Sequence, residues 1–474
     1  MLKTNDAKIH HRFKPFAQRM QRAGLHDLVT KTFGAYYGQL LQGHSGRLSR
    51  ADIDPIDAVP DAEKLSGYQE AGQAALPNTV VIKLNGGLGT SMGLNKAKSL
   101  LVVKEGVSFL HIIARQVLAL RRAYDCALPL VLMNSFSTHD DSLAHLSEYP
   151  ALEGQIPLGF LQHRVPKVAQ EGLEPITWEP NPALEWCPPG HGDIYTALVT
   201  SGTLDKLLAN GYEFAFVSNS DNLGAVVDES ILGYFAHRQI SFMMEVADRT
   251  EADRKGGHLA RLKDGRLTLR ESAQCPEEER QEFQDIQRYK YFNTNSLWIN
   301  LLALKKLLDE RDGILGLPMI VNHKTVDPRD ETSPPVFQLE TAMGAAISAF
   351  PGAQALRVAR TRFAPVKTCD DLLALRSDAY LLTGDARVTP NPARSLGALV
   401  IRLDARYYKR IDDFEARFPH GAPSLIACER LSVEGDVRFG RDVTVEGSVS
   451  IVNRTREQRA IADGSTLSGD VEFA

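Results

Sequence analysis

Cysteine is scarce in this sequence, and the few cysteines are not arranged for cross-linking or metal binding. Among 474 residues only five are cysteine, and they lie far apart with no Cys-x-x-Cys pair. An odd number at wide spacing argues against a disulfide framework and against a structural zinc site. We therefore expect reduced thiols and a cytoplasmic location. The five are Cys126, Cys187, Cys275, Cys369 and Cys428.

Long apolar runs and an excess of positive charge are missing as well. No apolar run approaches the ~20 residues of a membrane span, and the N-terminal stretch MLKTNDAKIHHRFKPF lacks the apolar core of a secretory signal. The formal net charge is -5, with 24% charged and 43% hydrophobic residues. This composition is typical of a globular α/β protein and predicts no general binding to nucleic acid or membranes.

The chain is long enough for two or three domains, because a single core stops growing well below this length. Residues 1–78 show helical patterning over 11–41 and then polar turns, which predicts an N-terminal helical extension. Residues 79–385 form the predicted central domain. Residues 386–474 form a predicted C-terminal domain, and the stretch DARVTPNP at 385–392 is the predicted linker at its start.

In the central domain, apolar strand patterns alternate with helix-length segments. The predicted strands are VVIKL, PLVLMNS, IPLGFLQ, EFAFVSN and SFMMEVA, and the predicted helices cover 109–122, 194–208, 229–237 and a segment from 138. Such alternation indicates βαβ units and a mostly parallel sheet. Ligands of such sheets bind beyond the carboxyl ends of the strands. The segments that follow four of these strands are polar or rich in glycine.

The first of these strands runs into a glycine-rich loop, VVIKLNGGLGTSMG at residues 80–93. Glycine lets backbone N–H groups approach a ligand closely, so the loop is a candidate phosphate cradle. The spacing does not fit a P-loop, and Met92 stands where a dinucleotide fingerprint needs its third glycine. An NAD-dependent oxidoreductase is a minor alternative, and a tight structural turn is another.

The C-terminal region has a six-residue period. Leu431, Val437, Val443 and Val449 share one phase, and a second apolar series follows two residues later. This period predicts the stacked coils of a β-helix. The alternative is an ordinary antiparallel meander.

Several polar side chains are candidates for binding. His191 and Asp193 follow two prolines in PPGHGDIY, and Asp221 follows a strand in SNSDN, where a carboxylate suits magnesium. Asn293, in YFNTNSLWIN, is a candidate for hydrogen bonds to sugar hydroxyls. Lys367 lies in RFAPVKT. Taken singly, each has an ordinary reading as a turn or surface residue.

Together these segments resemble the eukaryotic-type UTP–glucose-1-phosphate uridylyltransferases, the UDP-glucose pyrophosphorylases. The resemblance runs from residue 84 to the C-terminus. It implies a Rossmann-like α/β nucleotidyltransferase domain with a mixed, mostly parallel sheet, followed by a C-terminal left-handed β-helix. It also implies UTP and glucose 1-phosphate as substrates, Mg²⁺ as cofactor, and a homo-oligomer formed through the β-helix. The segments are LNGGLGTSMG, PLVLMNSF, PPGHGDIY, SNSDNLGA, KGGHL, FNTNSLW, QLETAMGAAI, RFAPVKTCDDLL and LSVEGDVRFG.

The resemblance also implies residue roles. The glycine loop contacts the nucleotide, and two residues read uracil. One histidine meets the sugar phosphate, three residues after a strand bind sugar and nucleotide, and two lysines act on the phosphates. The loop residues are Leu84, Asn85, Gly86 and Gly87, the two that read uracil are Gln162 and Gly190, and the histidine is His191. The three residues after a strand are Asn219, Ser220 and Asp221, of which Asp221 also reaches magnesium. The two catalytic lysines are Lys98 and Lys367.

The chain departs from the family where GCKGPKS is usual. Here residues 93–99 read GLNKAKS, so Asn95 replaces one lysine and Lys96 with Ala97 replaces the Gly-Pro pair. Three alternatives stay open: a UDP-sugar pyrophosphorylase of broad sugar range, a pyrophosphorylase that acts on N-acetylhexosamine phosphates, and a catalytically silent protein that binds nucleotide sugars. A set of charges made of Lys98, Lys367 and Asp221 speaks against the silent protein.

Overall fold

The computed structural model describes residues 2–474, and its helices and strands alternate along most of that span. The helices are α1 (Leu2–Arg22), α2 (Asp27–Leu41), α3 (Gln69–Ala75), α4 (Phe109–Tyr124), α5 (His139–Leu146), α6 (Ile194–Thr200), α7 (Thr203–Ala209), α8 (Glu229–His237), α9 (Arg280–Phe283), α10 (Leu301–Glu310), α11 (Cys369–Arg376), α12 (Ala405–Tyr408) and α13 (Ile411–Arg417). None of these helices is long and apolar enough to cross a membrane.

The strands are mostly short. They are β1 (Ile53–Asp54), β2 (Thr79–Asn85), β3 (Val102–Lys104), β4 (Val107–Ser108), β5 (Leu130–Asn134), β6 (Gly159–Leu161), β7 (Val165–Pro166), β8 (Val168–Ala169), β9 (Trp186–Cys187), β10 (Phe214–Asn219), β11 (Phe242–Asp248), β12 (His258–Leu262), β13 (Leu267–Arg270), β14 (Tyr291–Asn300), β15 (Met319–Thr325), β16 (Pro335–Thr341), β17 (Gln354–Arg357), β18 (Tyr380–Leu382), β19 (Val388–Pro390), β20 (Val400–Leu403), β21 (Cys428–Glu434), β22 (Val437–Phe439), β23 (Thr444–Asn453), β24 (Arg459–Ile461) and β25 (Thr466–Phe473).

A mixed sheet forms the centre of the molecule. Its main path runs β1-β12-β14-β10-β2-β5-β6, with β11, β13 and β17 joined at the side. The strands β10, β2, β5 and β6 are parallel, whereas β14 pairs antiparallel with both β10 and β11. Helices connect the parallel strands, so the predicted α/β class with a parallel sheet centre is confirmed.

The register brings the strand ends together. Leu84 at the end of β2 lies opposite Asn219 of β10 and opposite Met133 of β5. Asn134 of β5 lies opposite Leu161 of β6. The glycine loop and the SNSDN segment therefore follow neighbouring strands side by side at the carboxyl ends of the parallel strands, where sheets of this kind bind ligands.

Burial explains why these residues form a sheet centre. In β2 only Leu84 is not fully buried, and β5 is buried throughout, because helices cover both faces of the sheet. Ser108 caps the N-terminus of helix α4, with its hydroxyl accepting a hydrogen bond from the backbone N–H of His111, and Asp125 follows the helix in a left-handed conformation. The predicted helix over 109–122 is therefore confirmed to within two residues.

One helix that was predicted to be continuous is interrupted in the structure. Residues 194–208 form two helices, α6 and α7, rather than one. Gly202 between them has φ +69°, a left-handed conformation that glycine adopts freely and that ends a helical turn. The helical pattern was correct for each half, but the glycine breaks it.

The N-terminal region contributes more than the predicted helical extension. Helices α1 and α2 pack through an aromatic cluster in which Phe16 and Tyr37 have ring centroids 4.7 Å apart. Gly24, at φ +71°, separates the two helices. Further along, Ile53 of β1 pairs with Leu262 of β12, so this region also adds an edge strand to the central sheet. The domain boundary at residue 78 stays a prediction.

The C-terminal region is built from parallel strands. One sheet has the order β20-β21-β23-β25, and β22 pairs with β24; all of these pairings are parallel. An antiparallel meander is therefore wrong for this region. The four residues that set the six-residue period are all buried, as the period predicts. The predicted boundary at 385/386 falls in the turn between β18 and β19, which pair with each other.

Candidate active site

The glycine loop leaves β2 at Asn85 and turns sharply. Gly89 and Gly93 have φ +66° and +75° and lie on either side of a short 3-10 turn, Thr90–Met92. At Gly86, a Cβ would come within 2.8 Å of both side-chain polar atoms of Gln162. A side chain at this position would displace Gln162. The structure therefore places the predicted uracil-reading amide directly over the glycine loop.

Asn85 has a structural contact inside the fold. Its side-chain Nδ2 donates to Asn134 Oδ1 at 2.7 Å and to Ser142 Oγ at 2.8 Å, and all three residues are buried. This network ties the end of β2 to β5 and α5. The predicted contact of Asn85 with a nucleotide stays a prediction, and its side-chain nitrogen is already satisfied.

Asp221 is the point where three predicted residues meet. Its Oδ2 accepts hydrogen bonds from Lys98 Nζ at 2.7 Å and from Lys367 Nζ at 3.0 Å. Burial alone raises the pKa of Asp221, but the two lysines outweigh it and hold the pKa below its usual range. The carboxylate is therefore ionised at neutral pH. The two lysines of residues 93–99, where the chain departs from the family pattern, therefore have different positions: Lys98 contacts Asp221 in the site, whereas Lys96 is exposed.

The second oxygen of Asp221 fits the predicted magnesium ion. Asp221 Oδ1 is buried and has no hydrogen-bond partner in the described part of the chain, which leaves out residue 1 and the side chains of residues 2–8 and 252. This is unusual for a carboxylate oxygen. Across the same residues, no cluster of three or more acidic, histidine or cysteine side chains could hold a metal alone. One free carboxylate oxygen suits the way proteins bind magnesium, in which substrate phosphates and waters supply the other ligands.

The segment that carries Lys367 is held rigidly. The Asn222 side chain donates to Arg362 O at 3.1 Å and accepts from Ala364 N at 3.1 Å. Val366 N donates to the backbone oxygen of Asp221 at 3.2 Å. The backbone N–H of Lys367 itself donates to Asp371 at 2.7 Å. The ammonium group is therefore presented from a fixed backbone, as expected from the proline at residue 365.

The loop that carries His191 is packed closely against the end of β16. Gly190 has φ +79°, and a Cβ there would come 2.4 Å from the backbone oxygen of Thr341. His191 Nδ1 accepts a hydrogen bond from Met343 N at 2.9 Å. Burial, and after it the charge of Lys367, lowers the pKa of His191 to about 4. At neutral pH the imidazole is therefore uncharged and carries its proton on Nε2.

The depressed pKa of His191 predicts a stability difference that depends on pH. Between about pH 6.5, where an unfolded histidine titrates, and the folded value of about 4, only the unfolded chain takes up this proton. Wild-type stability relative to His191→Gln should therefore fall as the pH falls through this window. The measurement is the difference in thermal midpoint between the two proteins at several pH values. A constant difference would contradict the assignment. Glutamine is the matched change because it keeps an acceptor for Met343 N.

A residue that sequence reasoning missed, His163, fixes this loop to the neighbouring strand end. Its backbone N–H donates to Asp193 Oδ2 at 2.7 Å, and its Nδ1 lies 2.9 Å from Asp193 Oδ1. Its Nε2 lies 2.9 Å from Thr200 Oγ1. Asp193 therefore positions the loop that carries His191 relative to Gln162. The available signal was the place of His163, directly after Gln162 at a strand end.

The remaining predicted residues lie near the same edge. Asn219 ends β10, and Ser220 N donates to the backbone oxygen of Leu84 at 3.1 Å, which joins SNSDN to the glycine loop. Asn293 is part of β14 rather than a turn, and its Nδ2 donates to Asn295 Oδ1 at 2.8 Å. A Cβ at Gly344 would come 2.7 Å from Asn293 Nδ2, so this amide faces the QLETAMGAAI segment.

A network of buried charged side chains holds the start of the segment that carries Lys367, and it was not predicted. Glu245 is fully buried and accepts from Arg362 Nη2 at 2.7 Å, from Arg362 Nε at 2.9 Å and from Trp298 Nε1 at 3.0 Å. Lys83 Nζ donates to Ser218 Oγ at 2.7 Å. Burial, followed by the charge of Arg362, lowers the pKa of Lys83 to about 7. The sequence signal was a charged residue inside each of two apolar strands.

Comparison with known proteins gives one consistent group. A family described as UTP–glucose-1-phosphate uridylyltransferase matches residues 30–446. A protein of that name from Solanum tuberosum is 41% identical over 437 residues, covering 91% of this chain and 90% of the relative. The protein from Saccharomyces cerevisiae is 43% identical over 424 residues, covering 87% and 82%.

Solved structures resemble the chain over nearly its whole length. A variant of UDP-glucose pyrophosphorylase from Leishmania major, in complex with UDP-glucose, has a TM-score of 0.91 at 44% identity and covers 98% of this chain and 99% of its own. A UDP-glucose phosphorylase from Trypanosoma brucei has a TM-score of 0.89 at 45% identity, covering 98% and 100%. The likeness therefore includes the C-terminal region as well as the central sheet.

Proposed function

This chain belongs to the UTP–glucose-1-phosphate uridylyltransferase family, and we propose that it transfers uridylyl from UTP to glucose 1-phosphate. The products are UDP-glucose and pyrophosphate, and the reaction is reversible. The observation that carries the proposal is the meeting of Lys98 and Lys367 on Asp221 beside the glycine loop. Two cations at a phosphate cradle suit the transfer of a phosphoryl-type group between anionic partners.

The mechanism needs no nucleophilic side chain. A phosphate oxygen of glucose 1-phosphate attacks the α-phosphorus of UTP in line, the new O–P bond forms, and the bond from the α-phosphorus to the β-phosphate oxygen breaks. Lys98 and Lys367 stabilise the negative charge that builds up around the α-phosphorus. The rigid backbone around Lys367 and the close-packed loop around His191 hold both reactants in the geometry of attack.

Other residues fix the two substrates. Gln162, held over Gly86, offers both a donor and an acceptor to the edge of uracil. His191, which is neutral, donates from Nε2 to the phosphate of glucose 1-phosphate. Asp221 would hold a magnesium ion, which would supply neutralisation of the triphosphate charge. Leu84, Gly87, Asn219 and Ser220 supply backbone and side-chain contacts to the nucleotide and sugar.

A pyrophosphate-release assay tests the function. UTP, CTP and ATP are each paired with a panel of sugar 1-phosphates, and we expect turnover with UTP and glucose 1-phosphate well above the other pairs. Comparable turnover of several sugars would identify the broad-range UDP-sugar pyrophosphorylase instead. Nucleotide-sugar binding without any turnover would identify the silent binding protein. Equal use of the three nucleotides would contradict the role of Gln162.

Removal of the metal should abolish activity. In excess EDTA we expect no turnover, with recovery on addition of Mg²⁺, because the triphosphate must be neutralised before an anionic phosphate approaches it. Asp221→Asn should weaken the Mg²⁺ dependence of UTP binding, measured by calorimetry without glucose 1-phosphate. Asp264→Asn, which changes an exposed aspartate, is the control and should bind as wild type. Full turnover in EDTA would contradict the metal role.

The C-terminal region is proposed to form coils of a left-handed β-helix and to join copies of the chain. Support comes from the edge strand β25, whose residues are mostly exposed and whose outer edge is free to pair with another strand. Light scattering measures the mass in solution, and a monomer would contradict the oligomer. A cytoplasmic location is proposed because the five cysteines are all free thiols. The net charge of -5 supports small-molecule partners rather than nucleic acid or membranes.

A further inference from the structure

The C-terminal domain touches the central domain next to the active site. Between α12 and α13, the backbone oxygen of Lys409 lies 3.5 Å from Cys369 Sγ at the start of α11. On α13, Glu415 forms an ion pair with Arg376 of α11 at 3.1 Å. Helix α11 directly follows the segment that presents Lys367. The connection between α12 and α13 is therefore held close to the catalytic lysine.

The residue after Lys409 lies along the glycine loop. A Cβ at Gly93 would come 3.2 Å from Arg410 Nε and 3.4 Å from Arg410 Cβ and Cγ. The same 3-10 turn begins at Gly89, where a Cβ would come 3.2 Å from Lys98 Cγ. The two glycines that flank this turn therefore pack against different domains, Gly89 against a lysine of the active site and Gly93 against an arginine of the C-terminal domain.

The charge of Arg410 is not compensated by a neighbouring carboxylate. Two nearby arginines of the same domain are ion-paired: Arg406 with Asp404 at 2.6 Å, and Arg417 with Asp436 at 2.9 Å. Arg410 is exposed, and no ion pair involves it among the side chains that the structure describes, those of residues 9–251 and 253–474. A guanidinium group presents a planar set of donors that matches two phosphate oxygens at once. This one is free to do so at the rim of the phosphate cradle.

We propose that Arg410 binds the β- and γ-phosphates of UTP, the part that leaves as pyrophosphate, so that the C-terminal domain completes the active site. The inference rests on the proposed function. The α-phosphate must lie where Lys98 and Lys367 converge on Asp221, because the attack takes place there. The other two phosphates then extend along the glycine loop, whose far end is Gly93. Arg410 lies at that end.

If Arg410 binds these phosphates, its loss should raise the KM of some ligands and not of others, whereas the loss of a purely structural residue would affect all ligands alike. UTP and pyrophosphate contain the phosphates that Arg410 would contact, whereas UDP-glucose does not. In Arg410→Ala we expect the KM for UTP and the KM for pyrophosphate to rise about tenfold or more, the usual consequence of losing a charge-assisted contact. The KM for UDP-glucose in the reverse reaction should stay within about twofold of wild type.

Two further variants sharpen the test. Arg410→Lys keeps the charge but not the planar fork, and we expect it to recover part of the pyrophosphate affinity. Arg402→Ala removes an exposed arginine of the same domain, on β20, and should leave all three KM values unchanged. Thermal midpoints of all variants establish that they are folded, and Arg410→Gln replaces the alanine variant if that one is not.

Two results would overturn the proposal. One is a pyrophosphate KM within about twofold of wild type in folded Arg410→Ala. The other is an equal loss for UDP-glucose and pyrophosphate, which would mark Arg410 as a residue that only supports the loop. Both differ from failure of the proposed function, because in that case the wild-type protein itself would not turn over UTP and glucose 1-phosphate.

Discussion

Lys367→Ala is expected to lower kcat by on the order of 100-fold or more, while KM for UTP changes much less. The Lys367 side chain is more than half exposed, yet its backbone is fixed and its ammonium group lies 3.0 Å from Asp221 Oδ2. A cation placed in this way, with no reorganisation needed, acts mainly on charge that develops in the transition state. Its loss should therefore appear in kcat.

The structure offers clear controls for this result. Lys98 still contacts Asp221 in the variant, so the carboxylate keeps one cation and the site should stay folded. Lys306→Ala removes an exposed lysine of α10 and should change neither kcat nor stability. Steady-state kinetics with UTP, together with the thermal midpoint, separates the explanations. A folded Lys367→Ala protein with kcat within about twofold of wild type would remove this lysine from the mechanism.

Glu245→Gln is expected to destabilise the protein by roughly 3 kcal/mol or more, the usual loss when one partner of a buried ion pair is removed. The neutral amide leaves the Arg362 guanidinium without a counter-charge in a site where Glu245 is fully buried. Lys83 lies nearby with a pKa of about 7 that the charge of Glu245 helps to raise, so in the variant Lys83 should lose its proton more readily and the unpaired charge should remain on Arg362. Denaturant titration measures the free energy of unfolding.

The same change should also affect activity, since Arg362 begins the segment that ends in Lys367. A matched control is Glu310→Gln, an exposed glutamate with a surface contact of 3.9 Å to Lys306, for which we expect a change within about 0.5 kcal/mol. Replacing the pair together, as Glu245→Leu with Arg362→Met, should recover part of the lost stability. Wild-type stability in Glu245→Gln would show that the pair is not electrostatically important.

Local sequence patterns predicted local structure well and distant contacts poorly. The alternation of strands and helices was correct around β2, α4 and β5, because burial on both faces gives these strands their continuous apolar character. The break at Gly202 and the antiparallel insertion of β14 were not predicted. The first depends on one backbone conformation, and the second on which strands become neighbours, which period and propensity do not specify.

The arrangement of the candidate active site could not be predicted from local sequence patterns either. Lys98, Asp221 and Lys367 are far apart in the chain, and their meeting followed only from the resemblance to a known family. Glu245 and Arg362 carried a signal, a charged residue in an apolar strand and an arginine before a proline, but their pairing needed coordinates. Contacts between residues that are distant in sequence depend on the whole topology, and no local window contains that information.

The position of β14 in the central sheet determines when the sheet can close during synthesis. Strand β10 ends at Asn219, but the strand that covers its outer edge starts only at Tyr291. At translation rates of about 5–20 residues per second, that edge has no partner for a time on the order of ten seconds. During this interval the ribosome holds a chain with an exposed apolar strand edge, a surface that chaperones bind and that other nascent chains can pair with.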